Sequence, residues 1–180
     1  MSDGTVLILV GSLRAASINR RLAELALETA PAGVTLEWFD RLGELPHYNE
    51  DIDTESVAEP VVALRAAAAR AGATLVITPE YNGSIPGVLK NAIDWLSRPY
   101  GNGALKGKPL AVVGASLGQY GGVWAHDETR KSFGIAGPRV VDDLELSIPT
   151  KSLDGKHPRE HAEVVSRLRD IIGKLVAEID

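Results

Sequence analysis

The sequence predicts an α/β fold, a parallel sheet with helices on both faces. Three observations carry this expectation. Short apolar runs rich in Val, Ile and Leu recur without strict alternation, as strands buried on both faces do. Segments of helical spacing separate them, so the element order reads β-α-β-α-β-α-β-α-β-α. No repeat, low-complexity tract or linker divides the chain, so residues 1–180 read as a single domain.

The elements follow in order. TVLILVG (5–11) is a β-branched apolar run bounded by Gly, the first strand. INRRLAELALETA (18–30) sets Ile18, Leu22, Leu25 and Ala26 on one helix face. VTLEWF (34–39) alternates more and suits a strand nearer a sheet edge. Residues 40–54 are polar loop. Ser56-x-x-Glu59 has the pattern of a capping box, opening an Ala-rich helix that runs to Arg70, with Pro60 in its first turn. ATLVIT (73–78) is the third strand. The helix of residues 85–97 follows and Pro99 ends it, with Ser84 expected as its cap and Pro86 in its first turn. GKPLAVVGAS (107–116) is the fourth strand, and residues 121–134 are a helix of weaker pattern. PRVVDD (138–143) and LELSIP (144–149) supply the last strand region. Residues 158–179 form the closing helix, with Val165, Leu168, Ile172, Leu175, Val176 and Ile179 on one face.

Composition narrows the function classes. Hydrophobic residues at 44% and charged residues at 24% are ordinary for a globular chain. A net charge of −5 disfavours nucleic acid as a partner. The absence of Cys removes disulfides, thiolate metal sites and cysteine nucleophiles, and fits a reducing compartment. Val6–Val10 is too short for a membrane span or a signal peptide, and the first residues are acidic rather than basic. A cytoplasmic protein with no membrane insertion is expected. His157 and His161 have the i,i+4 spacing of metal ligands, but no third ligand is near and no metal is expected. Trp38, Trp95 and Trp124 suit core or interface, and a subunit interface is the expected home of Trp95.

In a sheet of this kind ligands bind beyond the carboxyl ends of the strands, near the switch in strand order. Three loops lie there. GSLRAASIN (11–19) joins a tight-turn Gly11 to the hydroxyls of Ser12 and Ser17, the amide of Asn19 and the forked charge of Arg14, before a helix N-terminus. It lacks both the G-x-G-x-x-G fingerprint and the P-loop pattern, so a terminal phosphomonoester suits it better than a pyrophosphate. An ordinary turn capped by Ser17 reads equally well from these residues. In PEYNGS (79–84), Pro79 ends the strand and Asn82-Gly83 is a strong turn pair. Turn chemistry leaves Glu80 and Tyr81 unexplained. Such a loop offers successive backbone N–H groups, fit to hold the edge of a flat heterocycle such as a flavin ring. SLGQYGG (116–122) is Gly-rich, which permits close backbone approach.

The third loop also admits a rival. Gly114-x-Ser116-x-Gly118 after a strand is the nucleophile-elbow pattern. Asp142 or Asp143, followed by His157 or His161, would complete the order of a serine-hydrolase triad around Ser116. The QYGG that follows opposes this, because an elbow runs straight into a helix.

Taken together, GSLRAASINRRLA, PEYNGSIPGVLKNAIDWLSRP, KGKPLAVVGASLGQYGG and LDGK resemble the NADPH-dependent FMN reductase family, flavodoxin-like reductases of free flavin, quinones, azo dyes and chromate. The likeness spans about residues 6–156, and PEYNGSIPGVLKNAIDW is its most specific part. It implies a flavodoxin-like three-layer sandwich, a five-stranded parallel sheet in order 2-1-3-4-5 and bound FMN. By the same resemblance Ser12, Arg14, Ser17 and Asn19 hold the FMN phosphate. Pro79, Glu80, Tyr81, Asn82 and Gly83 border the isoalloxazine ring, and Ser116, Gly118 and Gly121 approach its other edge. It also implies a homodimer or homotetramer. The likeness is weakest over residues 123–149, a segment expected to shape the acceptor pocket.

The expected function is electron transfer from NADPH or NADH through FMN to a small-molecule acceptor, a quinone, free flavin or similar compound. The cofactor carries the hard chemistry, so no side-chain acid or base is nominated. With no second dinucleotide motif, donor and acceptor are expected to share one pocket and give ping-pong kinetics. An electron carrier that does not oxidise NAD(P)H is the alternative of another class; such carriers tend to be more acidic than this chain.

Overall fold

The computed structural model describes residues 4–179. The expectation drawn from the acidic start, Met1–Asp3, lies outside the described residues. Five strands are joined by helices: β1 (Thr5–Val10), α1 (Ile18–Glu28), β2 (Thr35–Phe39), α2 (Glu59–Arg70), β3 (Ala73–Ile77), α3 (Gly87–Leu96), β4 (Pro109–Ser116), α4 (Val123–Ala136), β5 (Arg139–Pro149) and α5 (Ala162–Ala177). The sheet order is β2-β1-β3-β4-β5 and the pairs are parallel. This is the order the resemblance implies.

The continuous apolar runs have a plain cause. Successive side chains of a strand point to opposite faces, and here both faces are covered. Val6, Ile8 and Val10 of β1 join Leu22 and Leu25 of α1 and Leu168, Ile172 and Leu175 of α5 in one core layer. Leu7 and Leu9 join Val61 and Leu64 of α2, Leu89 and Ile93 of α3 and Phe133 of α4 in the other. A single helix stripe suffices for each helix because its outer side meets solvent.

Several boundaries differ from expectation. The Ser56-x-x-Glu59 box does not form: Ala58 is the N-cap of α2 and no side chain caps it. Glu59 instead accepts from the Arg41 guanidinium (3.1 Å at one oxygen), which also bonds Glu44. A permanent charge within reach competes well with a neutral backbone donor. Ser84 does not cap α3, which starts at Gly87 after Pro86. Its hydroxyl donates to Glu128 (2.5 Å), because Ser84 is still part of the preceding hairpin. α4 begins two residues later than expected because Gly121 (φ +67) and Gly122 (φ +99) lie in the left-handed region. It then runs on to Ala136, with Gly137 as its C-cap. The two apolar runs after residue 138 are one strand, β5, split in appearance by a register shift opposite Leu110–Val112 that leaves Asp142 and Asp143 exposed. The closing helix is broken: His157 caps a short turn, Pro158–Glu160, before α5 begins at Ala162.

Trp95 is a correction of another kind. It is fully buried, not at a subunit surface. Its Nε1 donates to the Pro46 carbonyl (2.8 Å), and the Tyr48 ring meets it edge-on at 5.0 Å. The loop of residues 40–54, polar in sequence, thus folds over α3 and closes the core there.

Candidate active site

The loops after β1, β3 and β4 meet at the carboxyl edge of the sheet. Their glycines explain how they come so close. A Cβ on Gly11 would stand 2.4 Å from the Thr78 hydroxyl, and one on Gly114 would stand 2.0 Å from the Thr78 carbonyl oxygen. Strand ends that touch in this way admit no side chain between them.

In the first loop Ser17 is the N-cap of α1, its hydroxyl accepting from the Asn19 N–H (3.2 Å). The capped-turn reading of the sequence therefore holds for Ser17. Asn19 is buried and commits its whole amide to the end of β4. Its Nδ2 donates to the Ala115 carbonyl and its Oδ1 accepts from the Ala115 N–H, each at 2.9 Å. Ser12 is buried too, its hydroxyl 3.4 Å from that of Tyr81. Arg14 is exposed, and among the described residues its guanidinium has no hydrogen bond or ion pair, whereas Arg41, Arg65 and Arg70 are each paired with a carboxylate.

In the second loop the turn pair behaves as its sequence requires. Asn82 (φ +54) and Gly83 (φ +73) form a two-residue hairpin turn, and Tyr81 and Ser84 exchange backbone hydrogen bonds of 3.1 Å. The hairpin consumes the Tyr81 N–H. The N–H groups of Glu80, Asn82 and Gly83 find no acceptor among the described residues. Glu80, unexplained by turn chemistry, has a role in the packing. Its carboxylate accepts from the Ala125 N–H (3.2 Å) at the start of α4, whose own N-cap, Gly122, has no side chain to offer. The Glu80 carbonyl accepts from the Ser116 hydroxyl at 3.4 Å. One residue thus ties the second loop to the third.

In the third loop Gly121 packs against β5, where a Cβ would stand 2.6 Å from the backbone of Ile148. Gly118 stands in the open. Beneath them lies His126, fully buried, which the sequence reading missed. Its Nε2 is 2.9 Å from the Thr78 carbonyl and its Nδ1 is 2.7 Å from the Ser147 hydroxyl. A carbonyl can only accept, so Nε2 carries the proton and Nδ1 accepts from Ser147. Burial pushes its pKa down, against a smaller opposing effect of the Thr78 carbonyl. A signal was available: a lone His in the first turn after Gly121-Gly122, where the helix must lie on the strand ends.

Ser12, Arg14, Ser17, Asn19, Pro79, Glu80, Tyr81 and Ser116 line one cleft of about 310 Å³, together with Ile18, Ala115, Leu117 and Thr150, which were not foreseen. Gly118 lines an adjoining pocket of about 190 Å³ with Glu80, Gln119, Tyr120, Gly122 and Trp124. Asn82, Gly83 and Gly121 line neither. A larger cavity of about 500 Å³ lies between α3, the end of α4 and residues 97–101, and includes none of the residues foreseen for the site.

The serine-hydrolase alternative gains no support. Ser116 bonds the Glu80 carbonyl, and a run of turns separates it from α4. His157 accepts from the Arg159 N–H, His161 faces the Leu153 carbonyl, and Asp142 and Asp143 are exposed on β5. Among the described residues no group of His, Cys, Asp or Glu is placed to hold a metal, and no helix is long and apolar enough to cross a membrane.

A parallel sheet in this order, with such a cleft at its switch point, defines a flavodoxin-like protein of the class that receives a flavin there. A profile of the NADPH-dependent FMN reductase family matches residues 5–152. The chain is 48% identical over 128 residues to a quinone reductase of Pseudomonas putida, covering 71% of this chain and 68% of that one. It is 42% identical over 149 residues to an NAD(P)H-dependent FMN reductase of Pseudomonas aeruginosa, covering 82% and 80%. The solved structure of FerB, a flavoenzyme NAD(P)H:(acceptor) oxidoreductase of Paracoccus denitrificans, matches with a TM-score of 0.83 at 33% identity, over 98% of this chain and 97% of that one. The chain belongs to the NADPH-dependent FMN reductase family. It is an NAD(P)H-dependent oxidoreductase and FMN is its cofactor.

Proposed function

We propose that FMN occupies the cleft at the carboxyl ends of β1, β3 and β4, and that the enzyme passes electrons from NAD(P)H to a quinone. The carrying observation is the donor set around that cleft. An unpaired Arg14 and Glu80, whose N–H is unpaired, line it, and the unpaired N–H groups of Asn82 and Gly83 follow Glu80 in the hairpin that borders it in sequence. Arg14 suits a phosphate, and the N–H groups suit the carbonyl-bearing edge of a flavin. The quinone is supported by the name of the Pseudomonas putida relative.

Each residue then has a role. Arg14, with the hydroxyls of Ser12 and Ser17 and the N-terminus of α1, binds the phosphate. Asn19, whose amide is committed to Ala115, braces the floor of that site rather than contacting the phosphate with its side chain. Glu80 holds the hairpin against α4, so that its free N–H groups keep their direction. Gly121 gives the third loop its close course against β5, and Gly118 leaves the adjoining pocket open. FMN, when bound, supplies the hydride acceptance and electron delivery of the reaction. Backbone donors at its edge favour the negative charge that reduction brings, and require no side-chain acid or base. NAD(P)H and the acceptor enter the same cleft in turn, which gives ping-pong kinetics.

A cytoplasmic homo-oligomer is part of this reading. The lack of Cys supports the compartment, and exposed Tyr100 and Ile135 beside the 500 Å³ cavity support self-association. Light scattering of the purified protein checks the latter. The binding assignment is tested by titrating FMN into Arg14→Ala. A loss of about 1.5–3 kcal/mol in FMN binding is expected for a charged phosphate bond. Unchanged affinity would remove Arg14 from the site.

A further inference from the structure

The cavity of about 500 Å³ has no part in the reductase reading. α3 and α4 start beside the flavin hairpin and the third loop and end here, so the cavity lies at the opposite, amino-terminal edge of the sheet. Its lining carries three cations, Lys90, Arg98 and Lys106, and one acid, Asp94. Lys90 and Asp94 neutralise each other in an ion pair of 2.7 Å. Arg98 and Lys106 have no ion pair among the described residues, although the chain carries a net charge of −5. Neither serves as a helix cap. Lys108 shows that role here, its Nζ donating to the Ala68 and Ala69 carbonyls at the end of α2 (2.8 and 2.9 Å). The side chains of Arg98 and Lys106 donate to no carbonyl among the described residues. The Arg98 guanidinium lies 5.4 Å from the centre of the Tyr48 ring, and its buried Nε has no hydrogen-bond partner. A ring attracts the cation but does not replace a hydrogen-bond acceptor at Nε. Asp53, which feels the charge of Arg98, is already bonded by Arg65 at 2.8 and 2.9 Å. Self-association through Tyr100 and Ile135 would cover apolar surface but calls for no cation, so Arg98 and Lys106 need another explanation.

We propose that this cavity is a second ligand site, for a phosphorylated aromatic compound of about mononucleotide size. Arg98 and Lys106 bind the phosphate, Arg98 by its fork and Lys106 as a point charge. The Ser132 hydroxyl, unpaired among the described residues, adds a neutral donor. The Tyr100 ring and the Ile135 side chain, both exposed, cover the flat part of the ligand. Three cations against one acid leave the lining at +2. That exceeds the roughly one unit of opposing charge from the C-terminal ends of α3 and α4 together. The volume lies within the range of small-molecule sites. The cavity and the flavin cleft share no lining residue, so both fill at once.

The test is isothermal titration of the protein, in saturating FMN, with 1-naphthyl phosphate. Inorganic phosphate and 1-naphthol serve as probes that each lack one half. The full probe should bind once per chain, and each half-probe at least about tenfold more weakly. Arg98→Ala and Lys106→Ala should each weaken binding by about tenfold or more, the range of one charge-assisted bond, and Lys106→Arg should retain most of it. Arg98 also packs on Tyr48, so exposed Lys106 carries the test if Arg98→Ala does not fold. Both alanine variants should bind FMN as wild type does, which separates this site from the cleft. Equal affinity for 1-naphthyl phosphate in Lys106→Ala and wild type overturns the proposal. So does a probe that fails to bind, or one that FMN displaces. An oligomer that takes up the probe only after Tyr100→Ala dissociates it, as seen by light scattering, overturns it too and assigns the cavity to a self-contact. The readout is binding rather than turnover, so a failure of the reductase reading leaves this result standing.

Discussion

At the scale of single residues, the site is built by contacts that leave no room. Gly114 shows it most sharply. A methyl group there would meet the Thr78 carbonyl at 2.0 Å and His126 Nε2 at 2.8 Å. Gly114→Ala should therefore destabilise the fold by about 1–3 kcal/mol, as overpacking does. A denaturant melt with an unchanged midpoint would contradict this. The sequence made the glycines conspicuous, but not which neighbour each one touches. Gly121 illustrates the limit, for it was expected at the flavin edge and packs on Ile148 of β5 instead. The sequence singles out Arg14 as a lone cation among neutral donors before a helix, and it stands exposed and unpaired among the described residues, which a solvated turn residue would also do. Asn19 was legible as a polar residue of the site, yet its partner, the Ala115 backbone, lies 96 positions away. Spacing along the chain carries no trace of such a contact.

At the scale of elements, the loops are locked to one another by α4. Glu80 caps that helix from the neighbouring loop, and His126 joins it to the ends of β3 and β5. Glu80→Ala should cost about 0.5–2 kcal/mol of stability, the range for a lost cap. It should also weaken FMN binding, because the hairpin loses its anchor. Glu80→Gln should retain more of both, since an amide oxygen still accepts from Ala125. Equal thermal midpoints and FMN affinities in all three proteins would argue against the cap. Helix ends were the least legible feature of the sequence. The Ser56 box and the Ser84 cap were sound local patterns, and both lost to stronger or earlier partners, Arg41 for Glu59 and the Tyr81 hairpin for Ser84. The hairpin turn itself was legible, because Asn-Gly has a local reason to adopt positive φ.

At the scale of the whole molecule, the α/β class followed from the doubly buried strands, and the strand order from the resemblance rather than from any pattern within the chain. The His126 network ties stability to pH. Burial holds its folded-state pKa below the ordinary 6.5. Below that pH the unfolded chain takes up the proton first. The contribution is therefore complete above about pH 6.5 and is lost as pH falls toward the folded value. Arg130 disfavours the charged ring, whereas Glu80 and Asp127 favour it, and burial outweighs all three. Wild type should lose thermal stability between about pH 7.5 and 5.5, and His126→Gln should lose less over the same interval. Parallel slopes would exclude His126 as the source. The central claim, a three-loop cleft that loads FMN for NAD(P)H-driven reduction of a quinone, is tested most directly by anaerobic visible absorption spectra of the FMN-loaded protein. Addition of NADPH or NADH should bleach the bound flavin, and a later addition of quinone should restore the oxidised spectrum in full. A flavin that neither nucleotide bleaches, or a protein that binds no FMN, would contradict it.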